Sequence, residues 1–121
     1  MGLMSDMPLI SILVAKEFQD QLRTLAKRYR QIRNDIQPLF DQLQDGEFPG
    51  AQIAGIGYAA FKVRAKNSDI QKGKSAGYRV VYQILSPTSV LLLLIYAKSD
   101  RSDVTAEEIQ TVIRRFNPDQ V

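Results

Sequence analysis

The sequence predicts an α+β domain in which helices pack over a small, mainly antiparallel sheet. Three observations carry that expectation. Apolar residues recur at helical spacing from Phe18 to Leu43 and again from Ile109 to Phe116. Short β-branched, apolar or alternating runs fill 9–14, 58–65, 78–85 and 90–97. The last three of those runs follow one another through short polar connections, without a helix between them.

In chain order, Leu9-Ile10-Ser11-Ile12-Leu13-Val14 reads as a first strand that ends near Lys16. Phe18, Leu22, Leu25, Ala26, Tyr29 and Ile32 then mark one helix face, with Lys27, Arg28, Arg30 and Arg33 largely opposite. Asn34 or Asp35 is the expected N-cap of a second helix, with Pro38 in its first turn, where a missing N–H matters least. Ile36, Leu39, Phe40 and Leu43 form its stripe and Gly46 stops it. The two helices predict a hairpin lying on the sheet.

Pro49-Gly50, Gly55 and Gly57 make 47–57 a returning loop. In the strand at 58–65, Lys62 and Arg64 share one face while Phe61 and Val63 share the other. Residues 66–76 form an exposed loop, Tyr78 opens the next strand, and Ser86-Pro87-Thr88 turns into the last one. Tyr78 and Tyr82 are expected in the core. Thr105 and Glu108 compose a capping box, T-A-E-E. It opens a helix with Ile109, Val112, Ile113 and Phe116 inward, which ends before Pro118. The order is β-α-α-β-β-β-α. Residues 1–8 read as a flexible leader and 9–117 as one domain.

With 121 residues and 45% apolar composition, one core can form without metal or disulfide staples. There is no cysteine and no histidine. That removes thiolate ligands, histidine acid–base chemistry, serine–histidine triads and most zinc sites. No cofactor or metal is expected. A reducing cytoplasm fits the absent thiols. The longest apolar run, Val90 to Ala97, is far short of the ~20 residues a membrane helix needs, so no membrane partner is expected.

The formal charge of +3 is unevenly placed. Residues 61–82 hold Lys62, Arg64, Lys66, Lys72, Lys74 and Arg79 against Asp69 alone, a local net charge of +5. A field of that sign suits a polyanion. Without histidine, acid–base chemistry on a bound polyanion would fall to lysine, tyrosine and carboxylates, with arginine as a clamp. A lysine crowded by cations releases its proton more readily and so becomes a usable base. Arginine keeps its proton and clamps phosphate. Arg79, on a strand among apolar neighbours, is the leading candidate. Lys62 and Arg64 join it from the neighbouring strand, and Lys74 with Lys72 can fold over the same face. Tyr96 and Lys98 alternate at the end of the last strand, where an acid or a stacking ring would serve.

Ser75-Ala76-Gly77-Tyr78-Arg79-Val80-Val81-Tyr82-Gln83, the closing Ile95-Tyr96-Ala97-Lys98-Ser99-Asp100 and the element order together resemble the RelE/ParE superfamily of bacterial toxins. The similarity runs from about Leu9 to Phe116, and the first segment resembles the S-x-G-Y-R motif of the RelE branch. The resemblance implies a toxin of a type II toxin–antitoxin module, held inactive by an antitoxin in a hetero-oligomer. In the RelE branch the activity is a metal-independent, ribosome-dependent cut in mRNA; in the ParE branch it is inhibition of DNA gyrase. By the same resemblance Arg79 matches the sheet arginine that meets the scissile phosphate. Lys62 and Arg64, with Lys72 and Lys74 competing, match the paired basic residues, and Lys66 and Arg101 are expected on RNA. Family members carry an arginine just after the last strand and a tyrosine beyond it. Ser99 and Thr105 stand there in this chain, with Arg101 and Tyr96 as substitutes. Two other readings remain open beside the nuclease: a gyrase-binding toxin, and a member that only binds RNA or antitoxin.

Overall fold

The computed structural model describes residues 9–70 and 76–116. The leader expected at 1–8, the loop stretch 71–75 and the proline expected to end the last helix lie outside the described residues. The elements are β1 (Ser11–Val14), α1 (Lys16–Arg28), α2 (Ile32–Gln44), β2 (Ala51–Gln52), β3 (Ala60–Ala65), β4 (Tyr78–Ser86), β5 (Ser89–Ala97) and α3 (Ala106–Phe116). This is the expected α+β order, with the two-residue β2 set into the loop that precedes β3.

The strands form one sheet in the order β1-β5-β4-β3-β2. β1 runs parallel to β5, and every other neighbouring pair is antiparallel. Each face of the sheet has its own core. On one face α1 and α2 lay Phe18, Leu25, Ile32, Ile36 and Leu43 against Tyr78, Val80, Tyr82, Leu92 and Ile95. On the other, α3 lays Ile109, Val112 and Ile113 against Val81, Leu91, Leu93 and Leu94. β5 is buried on both sides, so it reads as a continuous apolar run rather than an alternating one. Tyr78 and Tyr82 are fully buried, as expected.

The second helix departs from the expected boundaries. It begins at Ile32, its N-cap is Gln31, and Pro38 lies inside it rather than in its first turn. Neither Asn34 nor Asp35 caps it. Asn34 instead bonds the Gln31 side chain at 2.8 Å, and the Asp35 carboxylate accepts from the Ser68 backbone N–H at 2.8 Å. An interior proline costs about 3 kcal/mol. Burial of Ile32, Ile36, Leu39 and Leu43 at about 1.5–3 kcal/mol each offsets it, so packing overrides the local breaker.

Two glycines hold the sheet edge together. Gly50 adopts φ +99°, and a Cβ there would meet the Lys62 carbonyl and lie 2.9 Å from the Val63 Cβ. This close approach lets β2 pair with β3. Gly77 has no positive φ, so it is not needed as a turn residue. A Cβ at Gly77 would strike the Ala65 carbonyl, and its own carbonyl accepts from the Lys98 N–H at 2.9 Å. The capping box forms as the sequence predicts. Glu108 N–H donates to Thr105 Oγ1 at 3.1 Å and Thr105 N–H to Glu108 Oε1 at 3.2 Å.

Candidate functional site

β3 and β4 pair so that Arg64 lies opposite Arg79, and β4 and β5 pair so that Arg79 lies opposite Tyr96. Directly opposed residues of antiparallel strands share a face, so these three form a row across the sheet. Lys62 stands two residues along on that face, in register with Val81 and, beyond it, Leu94. Val81 and Leu94 belong to the core beneath α3. The row lies one step past that core, on the stretch of sheet followed by the linker from Lys98 to Thr105.

A bulge creates the row. Val81 pairs with Leu94 but Tyr82 pairs with Leu92, so β5 carries one extra residue there. Leu93 and Leu94 both join the core on the α3 side. From Ile95 onward the alternation is inverted. Without that residue Tyr96 would point at the helical hairpin; with it, Tyr96 joins Arg79.

The environment of each side chain differs in part from expectation. Arg64 is exposed. Arg79 is on the predicted face but only 6% exposed, with Nη1 donating to the Tyr78 carbonyl at 3.2 Å. Tyr96 is likewise 6% exposed. Burial first, and then the Asp103 carboxylate, push its hydroxyl above the ordinary tyrosine range, so it stays protonated. The Arg101 guanidinium lies 5.6 Å from the centre of its ring. Lys62 faces a carboxylate rather than cations alone, its Nζ donating to Asp103 Oδ1 at 2.7 Å. The same oxygen accepts from the Val104 N–H at 2.8 Å and from the Tyr96 hydroxyl at 3.4 Å. The Lys62 ammonium first, and then the Val104 N–H, hold the Asp103 carboxyl below the usual carboxylate range.

Lys98 and Arg101 shape the linker. Lys98 Nζ donates to the Ser102 carbonyl at 2.8 Å. Arg101 donates through Nε to the Asp103 carbonyl at 3.0 Å and forks onto Glu108 at 2.7 and 3.2 Å. Thr105 caps α3, and Ser99 is exposed. Lys66 is exposed just beyond β3, while Lys72 and Lys74 lie outside the described residues. A groove of about 300 Å³ borders Tyr96 on its α1 side, where Gln21 Oε1 accepts from the Ile95 N–H at 2.9 Å.

The structure thus brings Lys62, Arg64, Arg79 and Tyr96 to one face and ties Lys98 and Arg101 into the adjoining linker. It adds Asp103, which no local pattern singles out because its partners Lys62 and Tyr96 come from two different strands. Among the described residues, no helix is long and apolar enough to cross a membrane.

No protein-family model matches the chain, and no curated protein matches it in sequence. Its structure is similar to that of the E. coli toxin RelE, solved as a doubly substituted mutant in the free state. The TM-score is 0.54 at 17% identity, over 88% of this chain and 97% of that one. The chain has a RelE-like fold.

Proposed function

We propose that the chain is the toxin of a type II toxin–antitoxin pair and that it cuts messenger RNA on the ribosome without a metal. The observation that carries this reading is the row Arg64–Arg79–Tyr96 with Lys62 beside it. Cations and a protonated phenol converge on one sheet face, as transfer at a phosphodiester requires, whereas docking on a protein surface does not require it. The RelE-like fold supports the toxin assignment.

In this mechanism the ribose 2′-oxygen attacks the adjacent phosphorus and the 5′-oxygen leaves. The 2′-hydroxyl proton passes to a cluster lysine in its neutral amine form, Lys74 in this reading, since Asp103 holds Lys62 as the ammonium. Arg64 meets the non-bridging oxygens at the surface, and buried Arg79 adds a field strengthened by poor solvation. Tyr96, which keeps its proton, donates to the leaving oxygen, with Lys98 nearby. Lys66, Lys72 and Arg101 track the RNA backbone as positive charges. An acidic, partly disordered antitoxin that folds onto the +5 segment completes the pair, in the cytoplasm and as a hetero-oligomer.

The test is a brief induction in bacteria, with mRNA 5′ ends and gyrase-linked DNA breaks mapped in the same cells. Cuts inside translated codons are the expected result. DNA breaks with intact mRNA would replace the nuclease with a gyrase inhibitor. Neither lesion would leave a member that only binds RNA or antitoxin.

A further inference from the structure

Resting on the reading of the cationic row as an RNA site, we propose that Asp103 is a displaceable internal anion. Its carboxylate occupies the place of an RNA phosphate between Lys62 and Tyr96, and it rotates away when RNA engages them.

Three donors of different kinds meet on a single Asp103 oxygen: the Lys62 ammonium at 2.7 Å, the Val104 N–H at 2.8 Å and the Tyr96 hydroxyl at 3.4 Å. An ammonium, a hydroxyl and a backbone N–H are also what proteins use to hold a phosphate oxygen. The other carboxylate oxygen accepts no hydrogen bond from the described residues. The carboxylate is thus held on one side and open on the other.

Exposure says which group can leave. The Asp103 side chain is 60% exposed, against 34% for Lys62, while Tyr96 is buried. The anion is the outer layer and its donors lie beneath it. Rotation of the Asp103 side chain is enough to uncover them, because the backbone around it is fixed independently. Arg101 Nε holds the Asp103 carbonyl, and the Thr105–Glu108 box anchors the residues that follow. An exposed ion pair is weak. A polyanion brings several phosphates and releases counterions as it binds, so the exchange runs toward RNA.

Asp103 could instead matter only as the acceptor for the Val104 N–H ahead of α3. Asp103→Asn keeps that acceptor and removes the charge, which separates the two roles. The control is Asp100→Asn, which removes the same unit of charge from a pair with Arg28 at 2.8 Å, outside the Lys62–Tyr96 cluster. The probe is a fluorescein-labelled, 2′-O-methylated RNA oligonucleotide, which binds but cannot be cut, titrated at low salt. Asp103→Asn is expected to lower its Kd by roughly three- to ten-fold, the range set by the worth of an exposed ion pair plus one relieved repulsion. Asp100→Asn is expected to change it less than about two-fold, because the Asp100 carboxylate pairs with Arg28 and covers no donor of the Lys62–Tyr96 cluster. Should Asn weaken the fold, Asp103→Ser repeats the test with a hydroxyl acceptor.

Binding by Asp103→Asn no tighter than by Asp100→Asn overturns the proposal, as does failure of every variant to bind. The cleavage reading stands or falls separately. If Asp103→Asn binds more tightly while mRNA stays intact in induced cells, the displaceable anion survives and the nuclease does not.

Discussion

Arg64 and Arg79 stand directly opposite each other across the β3–β4 ladder, two guanidinium side chains on one face. Like charges in that arrangement destabilise a strand pair by about 0.2–1 kcal/mol. Arg64 is exposed, so packing does not require it. On the proposed function, Arg64 is there to meet phosphate. Arg64→Gln is expected to leave the melting temperature unchanged or raised by up to roughly 5 °C. The same change is expected to weaken growth arrest on induction by about ten-fold or more, one tenfold step per ~1.4 kcal/mol of lost phosphate contact. A clear fall in melting temperature would give Arg64 a structural role instead.

Arg79 needs a different pair of variants, because its side chain is buried and packs as well as carries charge. Arg79→Met keeps most of the volume and removes the charge; Arg79→Ala removes both. Both proteins are expected to fold and to bind antitoxin, the Ala variant losing about 1–3 kcal/mol of stability by chemical denaturation. Both are expected to lose toxicity by about a hundred-fold or more, the scale of one removed transition-state donor. A fully toxic Arg79→Met protein would take Arg79 out of the site.

Gly77 tests how the site is built. A methyl group at this position collides with the Ala65 carbonyl, although the backbone conformation suits any residue. Gly77→Ala is expected to destabilise by about 1–3 kcal/mol, as overpacking does elsewhere. Because Gly77 sits two residues before Arg79 and bonds Lys98, toxicity is expected to fall further than stability alone explains. The comparison is between residual toxicity and folded fraction at growth temperature. Loss in strict proportion to folding would deny Gly77 any part in positioning.

The linker and α3 give a pH dependence. The Arg101 fork first, and then the Thr105 N–H, hold Glu108 below its ordinary value of 4.5. A carboxyl whose folded-state pKa is lowered stabilises the protein above its unfolded value and loses that contribution as pH falls through the folded value. Glu108→Gln is therefore expected to be less stable than the parent at pH 7, with the gap closing as pH falls below about 4. Urea unfolding at pH 7, 5 and 3 measures it. A gap that does not change with pH would mean the fork is electrostatically idle.

The sequence was informative wherever one local period decided the structure. The α1 stripe from Phe18 to Leu25, the capping box at Thr105 and the Lys62–Arg64 face all follow from spacing between near neighbours. Where the sequence misled or was silent, the deciding partner was distant. The start of α2 at Ile32 was set by burial against the sheet, which outweighed the local signals of Asn34, Asp35 and Pro38. β2 at Ala51–Gln52 has no periodicity of its own and exists through β3. The extra residue at Leu93 is invisible in an all-apolar run, yet it decides which face Tyr96 occupies. Asp103 reads as one more linker acid until Lys62 comes within reach of it.

The parallel pairing of β1 with β5 has a consequence for synthesis. Ser11 lies beside Ser89 in the finished sheet, so β1 must wait for its neighbour while nearly the whole domain is translated. At roughly 5–20 residues per second that wait lasts several seconds. The Arg64–Arg79–Tyr96 row is equally late, since its third member arrives with β5. On the proposed function, the toxin would thus have no assembled cleavage site while its own ribosome is still building the sheet.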